Sequence, residues 1–179
     1  SIERVGSDAA LSTVTDSTLT GAIATTGDIV ITTAANLTLE TVQTTSDAIL
    51  TATNGSILDG GDTATDAIVD GTLTLSAATG LGQTGSGDLD LKVGTLDATV
   101  TGIGSAYLNL IGTTTIAGIT LNGDGSLFLN QLTGELTIQG AISLLEGRAL
   151  ITTRGALSVN ADVSVTDYLR LVADSLDVN

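Results

Sequence analysis

Apolar residues along this chain recur in pairs separated by a single residue, and a turn-forming residue precedes most of the pairs. Clear instances are Gly27-Asp28-Ile29-Val30-Ile31, Gly71-Thr72-Leu73-Thr74-Leu75, Gly87-Asp88-Leu89-Asp90-Leu91 and Gly125-Ser126-Leu127-Phe128-Leu129. Tyr107-Leu108-Asn109-Leu110 and Tyr168-Leu169-Arg170-Leu171 carry the same alternation, and looser copies sit at Ala9-Ala10-Leu11, Ala48-Ile49-Leu50 and Ala149-Leu150-Ile151. A period of two predicts short strands with one buried face. A second pair follows the first within most repeats, as Leu37/Leu39, Leu136/Ile138, Leu157/Val159 and Leu176/Val178. A third set appears as Ile142/Leu144 and Val163/Val165. Gly, Asn and Asp lie between the pairs, where the chain must turn.

The pairs are themselves periodic. Anchors at Ala10, Ile29, Ile49, Leu73, Leu89, Leu108, Leu127, Leu150 and Leu169 step by 19, 20, 24, 16, 19, 19, 23 and 19 residues. Ser7-Asp8-Ala9 returns as Ser46-Asp47-Ala48, 39 residues later, with Leu11, Ser17, Leu19 and Gly21 returning at Leu50, Ser56, Leu58 and Gly60. A step of about 20 residues lies within the range of solenoid repeats. Two or three short strands per step are too few for a self-contained sandwich layer, but they suit one coil of a parallel β-helix whose strands pair with the coils above and below. The expected fold is therefore all-β, a single β-solenoid segment over residues 1–179, with about 20 residues per coil and eight to nine coils. At about 4.8 Å per coil the rod would be roughly 40 Å long. An antiparallel sandwich or barrel would also alternate, but it would need frequent hairpin turns. Asn-Gly occurs only at Asn54-Gly55 and Asn122-Gly123.

Composition sharpens this picture. Apolar residues make up 42% of the chain, yet there is one Phe and no Trp, Met, Cys or Pro. Aliphatic side chains must fill the core, in many thin, similar layers. Twenty acids against five bases (Arg4, Lys92, Arg148, Arg154 and Arg170) give a net charge of -15. That surface repels phosphate backbones and anionic membranes, which argues against nucleic-acid partners. No apolar run is long enough to insert in a membrane as a helix. Ser1-Ile2-Glu3-Arg4 lacks the basic-then-apolar form of an export signal, so for an exported protein such a signal would lie upstream or have been removed.

Two stretches carry the rhythm most fully: Gly27-Asp28-Ile29-Val30-Ile31-Thr32-Thr33-Ala34-Ala35-Asn36-Leu37-Thr38-Leu39 and Gly147-Arg148-Ala149-Leu150-Ile151-Thr152-Thr153-Arg154-Gly155-Ala156-Leu157-Ser158-Val159. In them the chain resembles the haemagglutinin-type repeats of filamentous-haemagglutinin-like, two-partner-secretion exoproteins, from about residue 7 to the end. The resemblance implies a right-handed parallel β-helix, extracellular or on the cell surface, serving adhesion or forming the shaft of a large adhesin. The secretion-domain motifs of that family are absent from this stretch.

Chemistry is sparse. Without His or Cys, nucleophile–histidine systems and thiolate or imidazole metal sites are ruled out. Carboxylates remain. Asp59, Asp62, Asp66 and Asp70 fall in the longest repeat, where a paired-carboxylate glycosidase or a calcium loop would be the functional reading. A solvated acidic loop is the plainer one. Asn122-Gly123-Asp124-Gly125-Ser126 opens like a calcium loop but has Thr133 where the bidentate Glu belongs. Asn36 and Asn54 head glycosylation sequons, or cap turns. Thr72-Leu73-Thr74 and Thr99-Val100-Thr101 spell an ice-binding pair but do not fall at one corner of successive repeats. Leu108 and Leu127 should point inward, which turns Tyr107 and Phe128 outward on neighbouring coils.

The expected role is a structural or adhesive segment without catalytic, cofactor-binding or metal-binding residues, with calcium the one ion its acidic loops suggest. Its expected partners are flanking repeats of the same protein, further copies stacked end to end, and cell-surface glycans. A carbohydrate-active or carbohydrate-binding β-helix is the alternative.

Overall fold

The computed structural model describes residues 9–13, 15–61 and 64–179. All regular structure among them is strand, and every strand pairing is parallel. The chain winds as a β-solenoid of about 7 turns with about 21 residues per turn, a slightly longer coil and fewer coils than the sequence predicts. At about 4.8 Å per turn the rod is roughly 34 Å long. Among the described residues no helix is long and apolar enough to cross a membrane.

Inward columns stacked from turn to turn make the core, and three of them show the register. The first runs Ile29, Ala48, Leu73, Leu96, Ile116, Ile138, Val159 and Val178, each in register with the next. The second runs Leu37, Ile57, Leu81, Ala106, Leu127, Ala149 and Leu169. The third runs Val42, Ala67, Leu91, Leu110, Gln131 and Thr153. Aliphatic side chains in the middle turns are fully buried, Leu73, Leu81, Leu89 and Leu91 among them. Burying each such side chain contributes about 1.5–3 kcal/mol.

Three sequence anchors are corrected by the register. Ala10, Ile49 and Leu150 point outward; beside the last two, Ala48 and Leu50, and Ala149 and Ile151, form the core. In those repeats alanine takes an inward slot, so the larger side chain between two inward positions is the wrong one to follow. The anchor series also changes column between Leu73 and Leu89: Leu73 belongs to the first column, whereas Leu89 pairs with Leu108 on another side of the coil. That change produces the short apparent step. The 39-residue copy does span two turns, with Ala9 over Ile29 over Ala48, although Ser7 and Asp8 lie outside the described residues. It slips by one in the next strand, where Leu19 stands two turns from Asp59 and not from Leu58.

Outward positions stack like with like. Ser12, Thr32, Thr51, Ser76, Thr99, Thr120, Ser143 and Ser164 form one unbroken hydroxyl ladder. At corners, inward threonines satisfy the turning backbone: Thr44 donates to the Gly27 carbonyl at 2.6 Å, and Thr114 to that of Val93 at 3.2 Å. The two sequon asparagines act at the same kind of position. Asn36 accepts the Ser56 N–H at 2.9 Å, and Asn54 donates to the Ala34 carbonyl at 2.9 Å.

One corner interrupts the regular winding. The strands Ser56–Asp59 and Gly80–Leu81, on successive turns, both end at this corner, and regular winding resumes at Ala67–Ala77 and Leu89–Val100. In the next turn the strand Ala106–Leu110 runs straight past this corner, pairing with both Gly80–Leu81 and the start of Leu89–Val100.

Candidate functional site

Both features with unusual chemistry lie at this interrupted corner. The first is acidic. Asp66 is fully buried, and it clamps the first excursion to the next turn. Its N–H donates to the Asp90 carbonyl at 2.8 Å, and its Oδ2 accepts the Asp90 N–H at 2.7 Å. Asp66 Oδ1 and Asp59 Oδ2 are buried and receive no hydrogen bond from another group. Burial pushes the Asp66 carboxyl up to about 8, with the neighbouring Asp59 charge adding to the rise and the Asp90 N–H opposing it. At neutral pH Asp66 is therefore largely protonated and able to donate to Asp59. Burial, with help from Asp90, also raises Asp88.

The second feature is aromatic. Tyr107 and Phe128 stand outward on successive turns, ring over ring, with centroids 4.9 Å apart and planes within 4°. Arg148 covers Phe128, its guanidinium carbon 5.6 Å from the ring centroid. The outward column continues through Leu150 to Arg170, with Tyr168 beside it opposite Arg148. One of the five bases, Arg148, is thus drawn against the aromatic pair. An amide ladder runs alongside: Asn130 donates to Asn109 at 3.2 Å, and Asn109 to Asp90 at 2.9 Å.

On the other side of Tyr107 the column is broken. Leu81 pairs with Ala106 and Ile57 with Leu81, which puts Gly82 between Leu58 and Tyr107. Gly82 takes φ +66, and a Cβ there would stand 2.5 Å from the Tyr107 carbonyl oxygen, so the position excludes a side chain. The missing side chain leaves an open cleft of about 370 Å³ bounded by Leu58, Tyr107, Ser56, Thr79, Ser105 and the second excursion at Gln83 and Thr84.

The acids singled out by sequence are only partly brought together. Asp59 and Asp66 interact; Asp70 lies elsewhere, with Lys92 in a smaller cleft of about 210 Å³; Asp62 is outside the described residues. Among the described residues no group of three or more acidic side chains is placed to hold a metal ion. The 122–126 segment lies where strand pairing slips, with Asp124 opposite Glu146, and a Cβ on Gly123 would stand 2.7 Å from the Gly102 carbonyl oxygen. The outward stacking of Tyr107 and Phe128 is as the alternation predicts. The cleft was missed; its signal is a glycine just past a short strand, with large side chains one turn away on each side. No family model, curated protein or solved structure matches the chain.

Proposed function

We propose that this chain is a structural and adhesive segment of an extracellular or cell-surface β-helical protein of the filamentous-haemagglutinin-like type, forming shaft rather than catalytic head. One observation carries this reading: aliphatic columns continue in parallel register from turn to turn, so that length grows by repetition without new tertiary contacts. Such a rod projects whatever it carries, and a net charge of -15 keeps neighbouring rods apart. Its partners in this reading are flanking repeats of the same protein, or further copies stacked end to end. The last described turn presents Leu176 and Val178, 53% and 64% exposed, as the apolar surface such a partner would cover. The role is non-catalytic, supported by the full burial of Asp66, which keeps it from touching a substrate.

Immunogold labelling of intact source cells tests the location. Labelling along surface fibres or of shed material is expected, and labelling only after lysis would overturn it. Sedimentation velocity tests the copy-to-copy contact: Leu176→Lys with Val178→Lys should remove concentration-dependent association.

A further inference from the structure

The geometry points to the cleft beside Tyr107 as a binding slot for one pyranose ring of an uncharged glycan, inserted where the outward column lacks a side chain. This site goes beyond the structural role and does not depend on it.

Three observations converge. The first is shape. Leu58 and Tyr107 lie two turns apart in one column, roughly 9.6 Å at the strand spacing of a sheet, with only Gly82 between them. A gap of one missing layer accepts one flat ring, held as Phe128 is held on the other face of Tyr107. The second is the wall chemistry. Tyr107 supplies an aromatic face and Leu58 an aliphatic one, the pair of surfaces that suits the C–H faces of a sugar. The third is the rim. Ser56 and Thr79 hydroxyls lie 2.8 Å from one another, and Ser105, Gln83 and Thr84 add further donors and acceptors, as the equatorial hydroxyls of a sugar require. No charged side chain lines the cleft, and the molecule is strongly acidic, so a neutral sugar fits better than a uronic or sialic acid. An aromatic side chain of a partner protein would fill the same gap, but it would leave the hydroxyl and amide rim unused.

The protein has two tyrosines and no tryptophan, so a Tyr168→Phe variant makes Tyr107 the sole phenol reporter. Methyl glycosides of glucose, galactose, mannose and N-acetylglucosamine are titrated against it by fluorescence. Saturation-transfer NMR then reads contact to the ring protons. At least one glycoside should give a saturable change, with Kd at about 1 mM or tighter. Tyr107→Leu should abolish the NMR signal. Thr79→Val, which keeps the shape and removes the hydroxyl, should weaken binding about three- to tenfold. Circular dichroism checks that each variant is folded. Binding of phenol or indole without any glycoside would overturn the proposal in favour of a protein aromatic. So would silence from all four glycosides, or unchanged binding in folded Tyr107→Leu or Thr79→Val.

Discussion

Ile49 and Leu50 are adjacent aliphatic residues with opposite fates: one is 42% exposed and the other fully buried. Leu50→Ala should cost about 2–5 kcal/mol, because the layers above and below hold the vacated space open. Ile49→Thr should change stability by no more than about 0.5 kcal/mol, since it extends a polar outward surface. Urea titrations of the two variants separate them, and equal losses would contradict the register. Asp66 provides a second contrast. Its native carboxyl, pushed up to about 8, holds a proton more tightly than the unfolded chain does. The stability it contributes is fully present below the ordinary carboxylate range and is lost as pH rises towards and through about 8. Asp66→Asn, which keeps a donor for Asp59, should flatten the fall in melting temperature between about pH 5 and pH 8. A slope unchanged by the substitution would remove Asp66 as its source. At the acid end Asp28 works the other way, because the hydrogen bond from Ser46 and the Asp47 N–H lower its pKa and favour the charged form.

At the scale of strands, the absence of proline has a direct cause. Strands inside the rod are paired on both sides, so neither edge can spare an N–H. Thr120, paired with Thr99 on one side and Ser143 on the other, is a clear test position. Thr120→Pro should cost about 3 kcal/mol or more, measured by thermal or urea unfolding. Threonine abundance follows from two separate needs. Outward hydroxyls repeat in a ladder where a branched side chain suits the pleat, and inward hydroxyls at corners bond the carbonyls of the preceding turn. Local alternation exposes the first need plainly. The second appears only when the coil closes, because Thr44 and its Gly27 acceptor meet one winding apart.

Across the whole molecule, each turn touches mainly the turn above and the turn below. Stability is therefore close to a sum of neighbour terms, and the ends should open before the middle. Hydrogen exchange should be slowest for Leu73–Ala77 and Leu96–Val100 and fastest beyond Val163, where the inward side chains of the last turn are partly exposed. Uniform exchange along the rod would contradict the one-dimensional picture. The charge of -15 is spread over a slender body, so raising ionic strength should raise the melting temperature by screening self-repulsion.

Alternation of Leu, Ile and Val with polar residues, repeated about every 20 residues, was enough to determine a parallel solenoid and the outward placement of Tyr107 and Phe128. Side-chain direction follows from the period of a strand, so that information is local. Which strand of one turn lies on which strand of the next is not local. Loop excursions at one corner lengthen some turns, and alanine replaces the larger core residue in others, so spacing alone misplaced Ala10, Ile49 and Leu150. Winding the chain decided the rest. It buried Asp66 against Asp59, drew Arg148 over Phe128, and set Gly82 between Leu58 and Tyr107, because contacts one turn apart join residues some 20 positions distant whose pairing depends on every corner between them.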